Sequence, residues 1–257
     1  MVTSSWVTVL PAGFTPEKYD GWYLYTHTDV AKLCEDLVHY SVNRCFAEQP
    51  RQSHRPEATH GEIFRIAQLW WETPEKVQSS FNSYSGSAVR GDALLNVSLD
   101  LSVHPSMALT EDTQFDVAKP AVFDMFRRGY RGTPDGTIVK VLAFGLCEDR
   151  GIGSWYASSF SDLGRDERLR NHFFGASINR RLPIGLDALL PGDGQIYWDW
   201  MVELWFDSKA DAASFMDSQA FASMWTELAG RSSDTLLSVL RCQEMMVAID
   251  PIDHVDE

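Results

Sequence analysis

The amino-acid sequence predicts an α+β protein built from two successive units, each with the element order β-α-β-β-α-β. The first observation is a repeat, because residues 22–30 read WYLYTHTDV and residues 155–163 read WYASSFSDL. Self-similarity of this kind is typical of duplicated structural units. The second observation is that short segments rich in β-branched and aromatic residues alternate with segments that begin like capped helices.

Four further pairs of segments follow the same order in the two halves. They are VTVL and VKVL (7–10 and 139–142), SVNR and SINR (41–44 and 177–180), AQLWWET and VELWFDS (67–73 and 202–208), and DALLNV and DTLLSV (92–97 and 234–239). Five collinear matches favour duplication over chance. The sequence thus predicts a first unit over 1–105, a linker over 106–136, a second unit over 137–250 and an acidic tail over 251–257.

In the first unit, the two predicted helices begin with a threonine cap followed by proline, at Thr15-Pro16 and Thr73-Pro74. The helices are expected over 16–28, with an extension toward 37, and over 74–83; the strands are expected at 6–11, 38–46, 63–71 and 94–103. The fourth strand depends on an alternation of apolar residues from Leu95 to Val103. This order of elements defines a ferredoxin-like unit.

The second unit is predicted with the same order of elements. Its strands are expected at 138–144, 176–181, 197–206 and 238–249, and its helices at 152–170, 208–217 and 219–229. A four-stranded sheet with helices on one face leaves its other face uncovered. We therefore expect the two fused ferredoxin-like units to pack sheet to sheet as a pseudo-dimer within one chain.

Composition limits the partners and the compartment. The 257 residues carry a formal net charge of −14, which argues against binding to nucleic acid or to anionic membranes. The four cysteines have no CxxC spacing, and neither a signal peptide nor a run of 18 apolar residues is visible. We expect a cytoplasmic protein with free thiols that binds a small molecule and exists as a monomeric pseudo-dimer or a homodimer.

Common catalytic motifs are absent from the sequence. It contains no HExxH, GxGxxG, Walker or GxSxG pattern. His54 and His60 lie in a polar segment with two prolines, where histidines are usually exposed. The sequence therefore predicts neither a metal site nor a nucleotide site, and it does not favour a serine hydrolase.

The candidate catalytic residue is His27, because the second copy of the repeat has Phe160 at the matching position. An imidazole can take and return a proton near neutral pH. Tyr23, one helical turn earlier, and Tyr40, on the next strand, could donate hydrogen bonds to an oxyanion. Residues expected to contact the substrate are Trp22, Tyr25, Gln68, Trp71 and His104. The alternative is that Tyr19, Tyr23 and His27 form a core face with one satisfied polar group.

The run FTPEKYDGWYLYTHTDV, with LVHYSVNR and IAQLWWETPEKVQSSF, resembles the EthD-like family of the dimeric α+β barrel superfamily. In that family an aromatic-rich first helix ends in a histidine, here His27, and a strand with tyrosine and asparagine follows, here Tyr40 and Asn43. Thr28-Asp29 departs from the usual continuation, which is a small residue followed by proline.

The resemblance implies cofactor-independent chemistry on a small hydrophobic or aromatic carbonyl-containing molecule. Dehydration or decarboxylation by a lyase is expected, with His27 as general acid and base, and the resemblance also allows cyclisation, isomerisation or a monooxygenase. One alternative is a haem- or oxygen-dependent oxidoreductase in the same barrel, with His27 as an axial ligand. Another is a non-catalytic ligand-binding auxiliary protein of a catabolic pathway.

Overall fold

A computed structural model of the chain describes residues 2–10, 13–45, 63–96, 107–115, 138–145, 175–181, 200–206, 208–231 and 237–247. The strands in these ranges are β1 (Val2–Val9), β2 (His39–Cys45), β3 (Ile63–Trp71), β4 (Met107–Phe115), β5 (Ile138–Gly145), β6 (Gly175–Arg181), β7 (Trp200–Phe206) and β8 (Leu237–Val247). The helices are α1 (Pro16–Trp22), α2 (Thr28–Ala31), α3 (Pro74–Asn82), α4 (Tyr84–Asn96), α5 (Lys209–Met216) and α6 (Gln219–Arg231), and a π-helical turn (Tyr23–His27) joins α1 to α2.

The strands form one closed barrel in the order β1-β3-β2-β8-β5-β7-β6-β4. Every pairing is antiparallel. The first quartet of strands (β4-β1-β3-β2) and the second quartet (β8-β5-β7-β6) have the same internal order. The quartets join where β2 pairs with β8 and where β4 pairs with β6. The predicted α+β class with antiparallel sheets is confirmed.

The pairing of the second and third strands agrees between the quartets. Ser41 of β2 lies opposite Gln68 of β3, and Ser177 of β6 lies opposite Glu203 of β7. The matched segments SVNR and SINR, and the strand parts of AQLWWET and VELWFDS, therefore occupy equivalent positions in the barrel.

The predicted match between VTVL and VKVL is wrong in register. Trp71 lies opposite Val2, whereas Phe206 lies opposite Val139. Val139 therefore corresponds to Val2 and not to Val7. The error spans an odd number of residues, so the predicted match would have placed the side chains of the two strands on opposite faces of the sheet.

The prediction of a fourth strand over 94–103 is wrong at its start. Residues 94–96 are the last residues of α4, and residues 97–106 lie outside the described ranges. The strand that pairs with β1 is β4, within the segment predicted as a linker. A short apolar run such as Leu94-Leu95 suits a helix as well as a strand. The match of DALLNV to DTLLSV also fails, since Asp92–Asn96 is helical and Leu237 begins β8.

The outer face of the first quartet packs against the helices. Ala67, Leu69 and Trp71 alternate along β3 and belong to one apolar cluster with residues of α1, α3 and the π-helical turn. Side chains with this spacing share one face of a strand, so Gln68 points to the other face, into the barrel. Burial of a large apolar side chain stabilises the fold by about 1.5–3 kcal/mol.

The predicted helix caps are confirmed. The hydroxyl oxygen of Thr15 accepts a hydrogen bond from the backbone N–H of Lys18 at 3.3 Å, and Thr73 caps α3 through Lys76 at 3.4 Å. Ser208 caps α5 through the N–H of Asp211 at 3.1 Å. Each cap satisfies a backbone donor that has no partner within its helix.

Several predicted features lie outside the described residues. They are the helix over 152–170 with Phe160, the histidines His54, His60 and His104, and the tail over 251–257. Cys34 is a free, buried thiol, and Cys45 is buried as well. Among the residues that the structure describes, no helix has the length and apolarity needed to span a bilayer.

Candidate active site

The predicted catalytic residues lie between the outer face of the first quartet and its first helical segment. Tyr19, Tyr23 and His27 are buried on one face of this segment, as their spacing predicts. The ring centroids of Tyr19 and Tyr23 are 5.9 Å apart, and those of Tyr23 and His27 are 4.8 Å apart. The segment therefore presents a continuous row of rings to the sheet.

The helical segment widens into a π-helical turn just before the histidine. The backbone N–H of Thr28 donates to the carbonyl of Tyr23, five residues earlier. The hydroxyl of Thr28 donates to the carbonyl of Leu24 at 2.6 Å. Single π-helical turns within α-helices are rare and frequently occur at functional sites, and this one carries His27 at its last position.

His27 is paired with Asp92, a residue of α4. Its Nδ1 lies 2.7 Å from Oδ2 of Asp92, and the indole Nε1 of Trp22 donates to Oδ1 of the same carboxylate at 3.3 Å. A carboxylate accepts hydrogen bonds, so Nδ1 carries the proton and Nε2 is left as the basic nitrogen. The arrangement leaves one defined nitrogen to exchange protons with a substrate.

Burial lowers the pKa of His27, and it outweighs Asp92, whose hydrogen bond and charge both act to raise that pKa. The positive charge of Arg65 lowers the pKa further. His27 has 8% of its surface exposed. The neutral imidazole, which accepts a proton, is thus the favoured form near pH 7.

Tyr23 and Tyr40 bring two phenolic hydroxyls together beneath the helical segment. The hydroxyl of Tyr40 donates to that of Tyr23 at 3.4 Å, and both side chains are buried. Burial raises the pKa of both phenols. Both phenols therefore remain protonated at neutral pH. Because Tyr40 donates its proton to Tyr23, the hydroxyl of Tyr23 is the one that can donate to an oxygen that gains negative charge during a reaction.

Arg65 is the fully buried cation of this region. Its Nη2 forms an ion pair with Oδ1 of Asp20, whose other oxygen accepts a hydrogen bond from Nε of Arg44 at 3.2 Å. The guanidinium carbon of Arg65 lies 4.0 Å from the ring centroid of Tyr23. This distance is within the range of a cation–π contact.

Three of the residues expected to bind substrate do not lie beside His27 in the structure. Tyr25 is 79% exposed on the solvent side of the π-helical turn. Trp71 is buried against Phe81, with ring centroids 5.5 Å apart, and its indole donates to the carbonyl of Glu35. Gln68 points into the barrel. Trp22 is the expected contact residue that lies beside His27, with ring centroids 5.1 Å apart, and His104 lies outside the described ranges.

Sequence reasoning missed Asp92 and Arg65. Asp92 belongs to a segment that the repeat assigned partly to a strand, and its partner lies 65 residues earlier. Arg65 offered a usable signal, because an arginine in an otherwise apolar strand is rarely buried without a partner. Asp29, two residues after His27 in sequence, pairs with Lys32 at 2.9 Å and does not orient the imidazole.

Metal ligands do not cluster in the described part of the chain. No group of three or more histidine, cysteine, aspartate or glutamate residues there is arranged to hold a metal ion.

No family model and no curated protein matches this sequence. Among solved structures, an anthrone oxidase-like protein matches with a TM-score of 0.57 and 9% identity over 95% of this chain and 92% of that chain. An ethyl tert-butyl ether D (EthD) family protein from Bacillus halodurans matches with a TM-score of 0.33 and 16% identity, over 42% of this chain and 93% of that chain. A chlorite dismutase from Candidatus Nitrospira defluvii matches with a TM-score of 0.42 and 10% identity, over 93% of this chain and 90% of that chain. At such identities the first match supports the α+β fold alone.

Proposed function

We propose that the first unit of this chain carries a histidine-based acid/base site that acts on a small hydrophobic or aromatic carbonyl compound as a lyase. The observation that supports this proposal is the contact between Nδ1 of His27 and Oδ2 of Asp92 at 2.7 Å. A buried, oriented and neutral imidazole suits proton abstraction from the carbon next to a carbonyl group. The chemistry needs no redox group.

The proposed reaction starts when Nε2 of His27 removes a proton from the carbon next to the substrate carbonyl. The carbonyl oxygen gains negative charge, and the hydroxyl of Tyr23 stabilises it by hydrogen bonding. The hydroxyl of Tyr40 supports Tyr23 by donating to it. In a dehydration, the enolate re-forms the carbonyl as the C–O bond at the β-carbon breaks. The departing oxygen takes the proton from His27 and leaves as water, so the imidazole returns to its neutral form.

The aromatic surroundings of His27 favour an aromatic substrate. The rings of Trp22 and Tyr23 lie 5.1 and 4.8 Å from the imidazole, centroid to centroid. Tyr19 and Phe64 continue this aromatic region, with ring centroids 5.4 Å apart. Apolar surroundings strengthen the electrostatic interactions that stabilise a developing oxyanion.

The proposal also includes the division of the chain into two structural units. We propose two fused ferredoxin-like units that form a pseudo-dimer, because both quartets of strands have the same order and equivalent registers in their second and third strands. β4 pairs with β1, so we place the end of the first unit after Phe115 and not at 105. The linker then falls within residues 116–137. The proposed partner is a small molecule, with neither nucleic acid nor a membrane involved.

The proposed function is tested by hydrogen exchange at carbon. Aromatic β-hydroxyketones are incubated with the protein in D2O, and NMR records deuterium uptake at the α-carbon together with loss of water. We expect His27→Gln to slow both by about 10²–10⁴-fold. Tyr25→Ala serves as the control, since Tyr25 is exposed, and should keep the wild-type rate. Equal rates for wild type and His27→Gln would remove His27 from the mechanism.

A second candidate function is that of a haem-dependent oxidoreductase. The His27–Asp92 pair that supports the lyase proposal also favours this candidate. Histidines that bind a metal almost always donate their other ring N–H to a carboxylate or a similar acceptor. His27 would hold the iron through Nε2, Asp92 would orient the ring, and haem would supply redox chemistry. Titration with hemin tests this candidate: a Soret band that is lost in His27→Ala would support it, and an unchanged hemin spectrum would oppose it. A bound compound without turnover would instead indicate a ligand-binding protein.

A further inference from the structure

Arg65 places a positive charge in the buried region beneath the candidate active site. Its side chain has no exposed surface. Asp20 pairs with Nη2 of Arg65, but the same carboxylate also accepts a hydrogen bond from Nε of Arg44 at 3.2 Å. Two guanidinium groups therefore share this carboxylate, and the three side chains together keep a net positive charge.

A buried charge that is only partly neutralised lowers the stability of the fold. Buried charges are normally both paired and hydrogen-bonded, yet in the described part of the chain no group accepts a hydrogen bond from Nε or Nη1 of Arg65. An unsatisfied charged donor is more destabilising than a neutral one. Replacing a buried ion pair by apolar residues is often neutral or stabilising, so the presence of this charge indicates a role other than stability.

The second quartet of strands does not repeat this charge. In the first quartet Arg44 of β2 lies opposite Arg65 of β3. At the equivalent register position of the second quartet, Arg180 of β6 lies opposite Trp200 of β7. An arginine on the second strand thus occurs in both quartets, whereas an arginine on the third strand occurs only in the quartet that carries the candidate active site.

The charge of Arg65 lies against the ring of Tyr23. The guanidinium carbon is 4.0 Å from the ring centroid, and the hydroxyl of Tyr23 accepts a hydrogen bond from Tyr40 at 3.4 Å. The positive charge favours the phenolate form of Tyr23 and so lowers its pKa, against the larger effect of burial, which raises it. Tyr40 has Ala176 at the equivalent register position, so the first quartet has both the arginine and the supporting phenol.

We propose that Arg65 is a positioning residue of the candidate active site, whose buried charge strengthens the hydroxyl of Tyr23 as a hydrogen-bond donor to the substrate oxygen. The proposal rests on the proposed function, and Arg65 acts in it without touching the substrate. The oxygen becomes negative only as His27 removes the proton, so the interaction is stronger in the transition state than in the ground state. Asp92 beside His27 and Arg65 beside Tyr23 then stabilise opposite charges, the imidazolium and the enolate.

The test compares Arg65→Met, which removes the charge, with Arg65→Lys, which keeps it. The assay is deuterium uptake in D2O by the β-hydroxyketone formed from benzaldehyde and acetone, at about pH 8, where an ordinary histidine is neutral. Arg65→Met should lower the rate at saturating ketone by about 10- to 100-fold and should change KM by less than about twofold. Arg65→Lys should lose less than about threefold, because an ammonium group can also lie over an aromatic ring.

Asp20→Asn separates this electrostatic role from a structural one. Without the carboxylate the charge of Arg65 is less neutralised, so exchange should stay at or above the wild-type rate. If Arg65 only tied α1 to the sheet through Asp20, then Arg65→Met and Asp20→Asn would lower the rate by similar factors, and that result would overturn the proposal. Arg44→Met is the matched control: Arg44 shares Asp20 but lies over Phe64, 3.6 Å from its ring centroid, and its loss should change the rate by less than about threefold.

NMR titration of His27 reports the charge of Arg65 without any turnover. The charged groups that act on this imidazole are Asp92 of α4, which raises its pKa, and Arg65 of β3, which lowers it. Arg65→Met should therefore raise the pKa of His27, and Asp20→Asn should lower it. A pKa that stays the same in both folded variants would overturn the proposal.

The wild-type protein supplies a test that needs no variant. Burial raises the pKa of Tyr40 more than that of Tyr23, which lies against the guanidinium of Arg65. With carbon-labelled tyrosine, NMR should show that Tyr23 loses its proton at a lower pH than Tyr40. The reverse order would overturn the proposal even if every variant of Arg65 failed to fold.

Failure of this proposal can be told apart from failure of the proposed function. Exchange that depends on His27 but is as fast in Arg65→Met as in the wild type would refute the role of Arg65 alone. Exchange that depends on the charge of Arg65 but is as fast in His27→Gln as in the wild type would refute the acid/base role alone.

Discussion

Gln68 donates a hydrogen bond from Nε2 to Oε1 of Glu203 at 3.0 Å across the interior of the barrel. The two residues hold the same register position in the third strands of their quartets. Nζ of Lys140 lies 2.8 Å from Oε1 of Gln68 and 2.7 Å from Oε2 of Glu203. All three side chains are buried. The two quartets are thus joined by a buried polar contact as well as by strand pairing.

Lys140→Met should destabilise the protein by about 3–5 kcal/mol, because it removes a cation that pairs with the buried carboxylate of Glu203. Adding Glu203→Gln should restore part of the lost stability, since an amide carries no charge. Urea unfolding measures the free energies of the wild type, both single variants and the double variant. A Lys140→Met protein as stable as the wild type would mean that the ion pair contributes nothing to the fold.

Asp92→Asn should lower the exchange activity by about 10²–10⁴-fold with little change in shape. An amide can donate to Nδ1 of His27, which places the ring proton on Nε2 and removes the proposed base. Nitrogen NMR of the imidazole would report the change of tautomer directly. Asp29→Asn is the matched control, because Asp29 pairs with Lys32 on the surface. Full activity in Asp92→Asn would contradict the orienting role.

The lowered pKa of His27 predicts how stability changes with pH. Between its folded-state pKa and the unfolded value of about 6.5, the unfolded chain binds more protons than the folded protein. The contribution of His27 to the free energy of unfolding should therefore be constant above about pH 6.5. It should decrease as the pH drops below this value and through the folded-state pKa.

His27→Gln removes this contribution, so its stability should fall less than that of the wild type as the pH drops from about 7 to 5. The measurement is urea unfolding at a series of pH values in that range. The other titrating groups are common to both proteins and cancel in the difference. Parallel curves for the two proteins would show that burial does not shift the titration of His27.

Gly86→Ala should destabilise the protein by about 1–3 kcal/mol, because the helices α3 and α4 approach closely at this residue. A Cβ atom on Gly86 would lie 2.7 Å from the Cα atom of Phe81 and would also contact the carbonyl oxygen of Ser80. Gly91→Ala in the same helix is the opposite case, since a Cβ atom there meets nothing within 4 Å. It should stabilise the protein by about 0.5–1 kcal/mol. Thermal unfolding of both variants tests the contrast; a stabilised Gly86→Ala protein would refute it.

Local signals predicted much of the first half of the fold. The caps at Thr15 and Thr73 depend on a few neighbouring residues, and the strands β2 and β3 on short runs of β-branched and aromatic residues. The shared face of Tyr23 and His27 follows from helical spacing alone. These features needed no knowledge of the rest of the chain.

The remaining features depend on contacts between distant residues. Asp92 meets His27 only because α4 packs beside the π-helical turn, and the sequence around Asp92 suits a helix or a strand. The position of β1 relative to the other strands follows from its pairing with β3. The match of VTVL to VKVL shifted β1 by an odd number of residues and so assigned its side chains to the wrong face of the sheet. Tyr25 was expected to contact the substrate, but the sequence does not report which residues of the π-helical turn face solvent.

Because the barrel is closed, each of its described strands pairs with a neighbouring strand on both edges. β2 finds its second neighbour in β8, and β4 finds its second neighbour in β6. If the chain were cut between Phe115 and Ile138 and the two halves were separated, β2 and β4 would each lose one neighbour and expose unpaired N–H and C=O groups along one edge. Such edges recruit strands from other molecules, so the separated halves should reassemble with one another or aggregate.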